Sequence, residues 1–100
     1  MSAYLIASYD ITDASEHDRY ALAADSILQK HGGELLVVDD AATAIEGKSQ
    51  MINVLIKFDS EADALSFYQD PDYLAIKDIR LKATTNSSVV LTKQLVMPDM

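Results

Sequence analysis

The segment DSEADALSFYQDPDY, residues 59–73, contains two helix starts separated by a break. Ser60 followed three residues later by Asp63 resembles a capping box, with Asp in place of the usual Glu or Gln. Asp70 before Pro71 is a second start, because Asp accepts free backbone N–H groups and Pro suits the first helical position. The segment therefore predicts a helix from Ser60 that breaks at Pro71 and restarts.

The restarted helix carries an arginine beside its apolar stripe. Tyr73, Ile76, Ile79, Arg80 and Ala83 recur at spacings of three and four residues, so they share one helix face. Arg80 is consequently expected on the inner side of the helix.

The remaining elements follow from hydrophobic periodicity. The first predicted helix starts at a cap formed by Asp13 or Ser15, and Gly32-Gly33 ends it. The predicted strands alternate with period two. They are Ala3–Tyr9, Glu34–Val38, Met51–Phe58 and Val89–Val96. The segments 10–13 and Thr84–Ser88 are predicted to be turns, and Met97–Met100 a loose tail.

The order β-α-β-β-α-β predicts an α+β fold of the split βαβ kind, an antiparallel sheet with helices on one face. Both faces of the first strand are apolar or aromatic, with Tyr4 and Ile6 on one side and Leu5, Ala7 and Tyr9 on the other. The helices can cover only one sheet face. The other face is expected to be covered by a second copy of the chain through a two-fold axis.

Composition narrows the range of partners. One hundred residues predict a single domain, 1–100, and a formal charge of −8 argues against nucleic acid, which requires a basic surface. Met1 leads directly into a strand-like run, and there is no long apolar segment, so we expect no signal peptide and no membrane span. The absence of Cys fits a reducing compartment, and a cytoplasmic location is expected.

A set of residues spread over nearly the whole chain carries a family resemblance. They are Tyr4-Leu5-Ile6-Ala7, Tyr20, Gly32-Gly33, Ile45-Glu46-Gly47, Lys57-Phe58, Ser60, Ala64, Tyr68, Pro71-Asp72-Tyr73, Arg80 and Ala83. In these residues the sequence resembles domain of unknown function family 1330, within the dimeric α+β barrels of ferredoxin-like fold. The chain departs from the family pattern by Asp72 in place of Glu, by Ile45 in place of Leu, and by lacking Pro near Ser26 and at about Gln50.

The resemblance implies the ferredoxin-like fold and a homodimer, but no activity, because the family has no established one. Neighbouring families in the same superfamily include cofactor-free monooxygenases and isomerases. This is an analogy of fold, and fold does not determine function.

Arg80 is the first candidate for chemistry. A guanidinium beside an apolar stripe needs a partner, because burying a bare charge is very costly. Glu46 or the carboxylate of a ligand could supply that partner. The alternative is a structural ion pair, or a surface arginine whose aliphatic stem covers apolar surface.

Three tyrosines, Tyr20, Tyr68 and Tyr73, are predicted at inward or edge positions of the helices. A phenol offers an apolar body and one polar tip, which suits the wall of a small-molecule pocket. The alternative is core packing with the hydroxyl at the rim.

Two further residues are candidate catalytic groups. His17 could act as a general base near neutral pH, or it could be an ordinary histidine at the helix edge. Asp10 could be an acid–base group or a cap. His17 and His31 are too far apart along the helix to bind one metal, so neither a metal nor another cofactor is predicted.

Three hypotheses follow. The first is a homodimer that binds a small carboxylate or phenol between helices and sheet, with Tyr20, Tyr68, Tyr73 and Arg80 around the ligand and Glu46 at the edge. The second is a cofactor-independent enzyme acting on a small carbonyl or phenolic compound. The third is a structural dimer without a ligand.

Overall fold

The structure, a computed structural model, describes residues 1–98. Within that range, four strands and three helices follow one another in the predicted order, with the second helical segment broken at Pro71. The elements are β1 (Ala3–Ile11), α1 (Ala14–Lys30), β2 (Glu34–Asp39), β3 (Ile52–Phe58), α2 (Glu61–Gln69), α3 (Pro71–Ala83) and β4 (Thr84–Lys93).

The strands form one antiparallel sheet in the order β2-β3-β1-β4. The central pair, β1 and β3, is in register from Ala3 opposite Phe58 to Tyr9 opposite Ile52. An antiparallel sheet with helices packed on one face is the predicted ferredoxin-like α+β arrangement, and the fold prediction is confirmed.

Side-chain caps fix both helix starts in the 59–73 segment. The Ser60 hydroxyl accepts the Asp63 amide at 3.0 Å, and the Asp70 carboxylate accepts the Asp72 amide at 2.8 Å. Pro71 occupies the first turn of α3, where its missing N–H leaves no bond unmade. Both predicted caps are therefore confirmed.

At the start of α1, the structure selects one of the two predicted caps. Asp13 accepts the backbone amide of Glu16 at 3.2 Å, whereas Ser15 lies within the helix and donates its hydroxyl to Asp13. At the other end, Gly32 takes the left-handed conformation with φ of 70°. A residue without Cβ adopts that conformation without steric penalty.

The core lies between the helices and one face of the sheet. Phe58 is fully buried at its centre, against α2 and the end of α1. The residues of β1 and β3 that alternate toward the helices complete it, and they are Leu5, Ala7, Tyr9, Ile52 and Ile56.

The prediction of a turn over Thr84–Ser88 is wrong, because these residues are the first half of β4. They pair with the end of β1, from Ile11 opposite Thr84 to Ser8 opposite Ser88. The polar side chains lack the apolar alternation of a strand, and hydrogen bonding to a central strand overrides that local pattern. The same pairing carries β1 past Tyr9, its predicted end.

The predicted end of the last strand, Val96, is also wrong. β4 ends at Lys93, which pairs with Ala3, the first residue of β1, so the ladder ends where its partner strand begins. Met97 and Pro98 have no regular secondary structure. The prediction for the final two tail residues, 99 and 100, lies outside the described residues.

The sheet face without helices carries a single apolar row. Val37, Leu55, Ile6 and Val90 are neighbours across all four strands, and Ile6 and Val90 are 44% and 49% exposed. The rows on either side are mostly polar, so the uncovered apolar surface is narrower than the sequence predicted. The flanking rows contain Glu34, Lys57, Tyr4 and Thr92 on one side and Asp39, Asn53, Ser8 and Ser88 on the other.

Candidate ligand-binding cavity

A cavity of about 150 Å³ lies between the helices and the sheet. Its floor consists of apolar side chains of β1 and β3, and its walls come from α1 and α3. Polar groups from β1, α1, α2 and α3 project into it, and they belong to Tyr9, His17, Tyr20, Tyr68, Tyr73 and Arg80. Asp25 of α1 also lines the cavity, but it is exposed and accepts a hydrogen bond from Gln29.

Arg80 is the charged group of this cavity. It is 3% exposed, and its Nη1 donates a hydrogen bond of 3.3 Å to the hydroxyl of Ser87. The guanidinium carbon lies 5.9 Å from the ring centre of Tyr20, a cation–π arrangement. Among residues 1–98, no carboxylate lies within ion-pair distance of the guanidinium.

The surroundings of Arg80 keep it charged. Burial by itself lowers the pKa of Arg80, but the phenol oxygens of Tyr73 and Tyr20 outweigh burial and raise the pKa above its ordinary value. The cavity therefore contains a permanent positive charge, and the side chains of the described residues that contact it, Ser87, Tyr20 and Tyr73, are neutral.

The three predicted tyrosines lie together around this charge. The hydroxyl oxygens of Tyr20 and Tyr73 are 2.7 Å apart, and their rings meet edge to face at 6.1 Å. Tyr68 packs on the ring of Tyr73 at 5.4 Å. Burial, and then the neighbouring Tyr73, raise the pKa of Tyr20 far above its ordinary value, so Tyr20 stays neutral.

His17 lies in the cavity wall and not at an exposed helix edge. It is 7% exposed, and its Nε2 is 2.6 Å from the hydroxyl of Tyr9. Burial lowers the pKa of His17, and the charge of Arg80 lowers it further, against the opposing effect of Asp18. His17 is consequently neutral near pH 7, with one ring nitrogen able to accept a proton.

The sequence patterns did not identify Tyr9 as a site residue. Its signal was present, because the period-two alternation of β1 placed Tyr9 on the same face as Leu5 and Ala7. Ser87 was also missed, since it lies in the segment that was predicted to be a turn. In β4, it shares the helix-facing side with Val89, which places its hydroxyl near Arg80.

Two predicted residues are not brought to the cavity. Asp10 lies near the end of β1, where it accepts hydrogen bonds from the side chain of Asn86 at 2.9 Å and the amide of Met51 at 2.8 Å. These bonds lower the pKa of Asp10. Through them, its carboxylate joins the end of β1 to the neighbouring strands. Glu46 is exposed in the connection between β2 and β3. The predicted Glu46–Arg80 ion pair is not formed.

A second charged cluster lies outside the cavity, where α1 ends beside the start of α3. The carboxylate of Asp70 is 2.6 Å from the amine of Lys30 and 2.7 Å from Nε2 of His31. Hydrogen bonds from Lys30, from His31 and from the Asp72 amide lower the pKa of Asp70 well below its ordinary value. This cluster joins the two helices and caps α3.

The model of the family described as "Domain of unknown function (DUF1330)" matches residues 2–94. The chain belongs to this family. The match confirms the resemblance inferred from residues such as Gly32, Pro71 and Arg80. A search of curated proteins finds no significant match.

Solved structures share the fold of this DUF1330 chain. A protein of unknown function from Rhodopseudomonas palustris is 14% identical, with a TM-score of 0.81 over 96% of this chain and 84% of its own. A dimeric ferredoxin-like protein of unknown function from Jannaschia is 12% identical, with a TM-score of 0.67 over 94% of this chain and 100% of its own. A Dabb family protein with a ferredoxin-like fold from Mesorhizobium loti is 15% identical, with a TM-score of 0.67 over 95% of this chain and 98% of its own.

Two further features concern membranes and metals. No helix within residues 1–98 is long and apolar enough to cross a membrane. No group of three or more His, Asp or Glu side chains in the same range is placed to hold a metal ion.

Proposed function

We propose that the chain, as a single domain over residues 1–100, forms a homodimer that binds a small organic anion between helices and sheet. The observation that carries this proposal is the buried guanidinium of Arg80, which no carboxylate in the described range pairs. A buried charge without a counter-ion is costly, and a carboxylate or phenolate ligand would remove that cost. Tyr20, Tyr68 and Tyr73 would enclose the organic part of the ligand.

A thermal-shift titration with benzoate and other small carboxylates and phenols tests the binding proposal. A ligand at 100 times its Kd should add about 2.7 kcal/mol to the stability of the native protein. Arg80→Met should abolish that gain, because it keeps much of the side-chain volume and removes the charge. Arg19→Met is the matched control, since Arg19 is exposed and its ion pair within residues 1–98 is with Glu16 on the surface of α1. Equal shifts in wild type and Arg80→Met would exclude Arg80 from the site.

The homodimer is supported by the apolar row on the helix-free face, formed by Val37, Leu55, Ile6 and Val90. Strand β2 adds an edge on which all six residues are exposed, and an uncovered apolar edge strand is prone to pair with another chain. Several structures with the same fold are described as dimeric. The occupant that we propose for this face is a second copy of the chain.

Light scattering on matched variants tests the dimer. Ile6→Glu places a charge in the centre of the apolar row and should give a folded monomer at micromolar concentration. Leu22→Glu is the control, because Leu22 is 81% exposed on α1, away from the helix-free face, and its replacement should leave the dimer intact. A wild-type protein that is monomeric at that concentration would contradict the proposal, as would a dimer that persists in Ile6→Glu.

The alternatives to ligand binding are a cofactor-independent enzyme and a structural dimer without a ligand. For a cofactor-independent enzyme, the position of His17 in the cavity wall, with Asp10 outside the cavity, supports His17 as the proton acceptor. A closed interior with Arg80 exposed would favour a structural dimer without a ligand, whereas Arg80 is buried beside a cavity. A ligand-contacting role for Glu46 and a cytoplasmic location stay predictions.

A further inference from the structure

The size of the cavity suits the enclosure of about one ring. An apolar protein cavity of about 150 Å³ accommodates benzene, and this cavity has the same volume. Apart from its polar groups, it is lined by side chains such as Leu5, Ile56 and Val54. A monocyclic organic acid matches both the volume and the lining.

The polar groups of the cavity form one connected series. The guanidinium of Arg80 lies over the ring of Tyr20 at 5.9 Å, the ring of His17 is 6.0 Å from that of Tyr20, and Tyr9 is hydrogen-bonded to His17 at 2.6 Å. This places a fixed cation and a hydrogen-bonded hydroxyl–imidazole pair around the same space. A ligand oxygen near Arg80 therefore lies in the region where Tyr9 and His17 can exchange protons.

We propose that Tyr9 and His17 form a proton relay that ionises a single-ring phenol or enol as it binds. The ligand O–H bond breaks and its proton goes to the Tyr9 oxygen, while the Tyr9 proton passes to Nε2 of His17. The products are a ligand oxyanion beside the guanidinium of Arg80 and an imidazolium at His17. This inference rests on the proposed ligand-binding function and names the chemical class of the ligand.

The balance of charge within the cavity supports the relay. Before binding, the cavity contains the cation of Arg80 and a neutral His17. After binding, it contains two cations and one oxyanion, so its net charge is unchanged and no proton leaves for the solvent. Ionisation without the relay would expel a proton into water.

The charged and titratable groups around His17 are compatible with this role. Tyr9 faces it from β1, Arg80 acts on it from α3, and Asp18 and Tyr20 are neighbours on its own helix. Burial and the charge of Arg80 keep the free imidazole neutral, and an oxyanion placed beside it would favour its protonated form.

Binding of 4-nitrophenol tests the proposal, because the probe has one ring and one hydroxyl, and its phenolate is seen directly by visible absorption. The measurement is made at pH values between the pKa of His17 and that of the free probe. The wild-type protein should bind the probe as phenolate. Calorimetry in two buffers of different ionisation enthalpy should show that binding of the probe releases about zero protons. The affinity for the probe should be nearly independent of pH between the two pKa values.

Tyr9→Phe and His17→Gln each interrupt the relay at one atom. In either variant, a bound phenolate must release its proton to the buffer, so the affinity should fall about tenfold for each pH unit below the pKa of the probe. The same pH dependence of affinity is expected for both variants, so either one tests the relay if the other fails to fold.

The outcomes separate this inference from the proposed function. If wild-type protein binds neither benzoate nor 4-nitrophenol, both proposals are overturned. If benzoate binds but 4-nitrophenol binds as the neutral phenol, or binds with release of about one proton, only the relay is overturned. A pH dependence in both variants equal to that of wild type would likewise overturn it.

Discussion

Replacement of Gly33 by Ala tests how closely the end of α1 packs on the sheet. A Cβ at this position would lie 2.3 Å from Cδ1 and 2.7 Å from Cγ of Leu28, and 3.0 Å from Cε1 of Phe58. Contacts this short cannot persist. Leu28 is 6% exposed and Phe58 is fully buried, so neither side chain can move into solvent. Overpacking of this kind costs about 1–3 kcal/mol, and Leu28 also lines the cavity.

The neighbouring Gly32 is the matched control. It has a φ of 70°, and no atom lies within 4 Å of the position that an alanine methyl group would occupy, so Gly32→Ala adds backbone strain without a clash. That strain costs about 1 kcal/mol. Two adjacent glycines are therefore required for different reasons, one for its backbone conformation and the other for close packing.

Urea unfolding of the two variants measures the difference, and each kcal/mol should also lower Tm by about 4–8 °C in a domain of this size. Leu28→Ala by itself should cost about 2–5 kcal/mol. In the Gly33→Ala background, it should cost at least about 1 kcal/mol less, because it removes the clashing atoms. A cost of Gly33→Ala no larger than that of Gly32→Ala would refute close packing at this position, as would additive costs in the double variant.

Two further predictions concern ionisable groups and hydroxyl pairs. The carboxylate of Asp70 has a lowered pKa because of Lys30 and His31, so its stabilising effect is complete above the ordinary Asp value of 3.8 and is lost as pH falls below it. Asp70→Asn should reduce that acid sensitivity in urea unfolding, and parallel pH curves would contradict this. Tyr73→Phe should cost about 1–3 kcal/mol, because it leaves the part-buried hydroxyl of Tyr20 without its partner, and the double variant with Tyr20→Phe should cost less than the sum of the two single variants. Additive costs would show that the hydroxyls do not interact.

Most elements of the fold could be predicted because their signals are local. The caps Ser60 and Asp70 satisfy backbone groups a few residues away, and Pro71 fixes its own backbone angle, so neither depends on the rest of the chain. The period of the apolar residues identified the inner faces of the strands and helices. It correctly placed Arg80 on the buried side of α3.

The errors concern features that depend on distant segments. The polar residues Thr84–Ser88 form a strand only because β1 provides the partner for their backbone groups. Glu46 was matched to Arg80 by charge alone, and opposite charge carries no information about distance. The structure instead gives Arg80 the hydroxyl of Ser87, which the misassigned strand had hidden.

The sequence by itself determined the helix starts at Ser60 and Asp70, the end of the first helix at Gly32-Gly33, and which residues face inward, with Arg80 on the inner side of its helix. These follow from backbone hydrogen bonding and hydrophobic periodicity within a few turns of chain. Only the tertiary structure brought Tyr9 of β1 within 2.6 Å of His17 on α1 and left Asp10 outside the cavity. Strand register and helix packing set those distances, since they join segments that no local pattern relates.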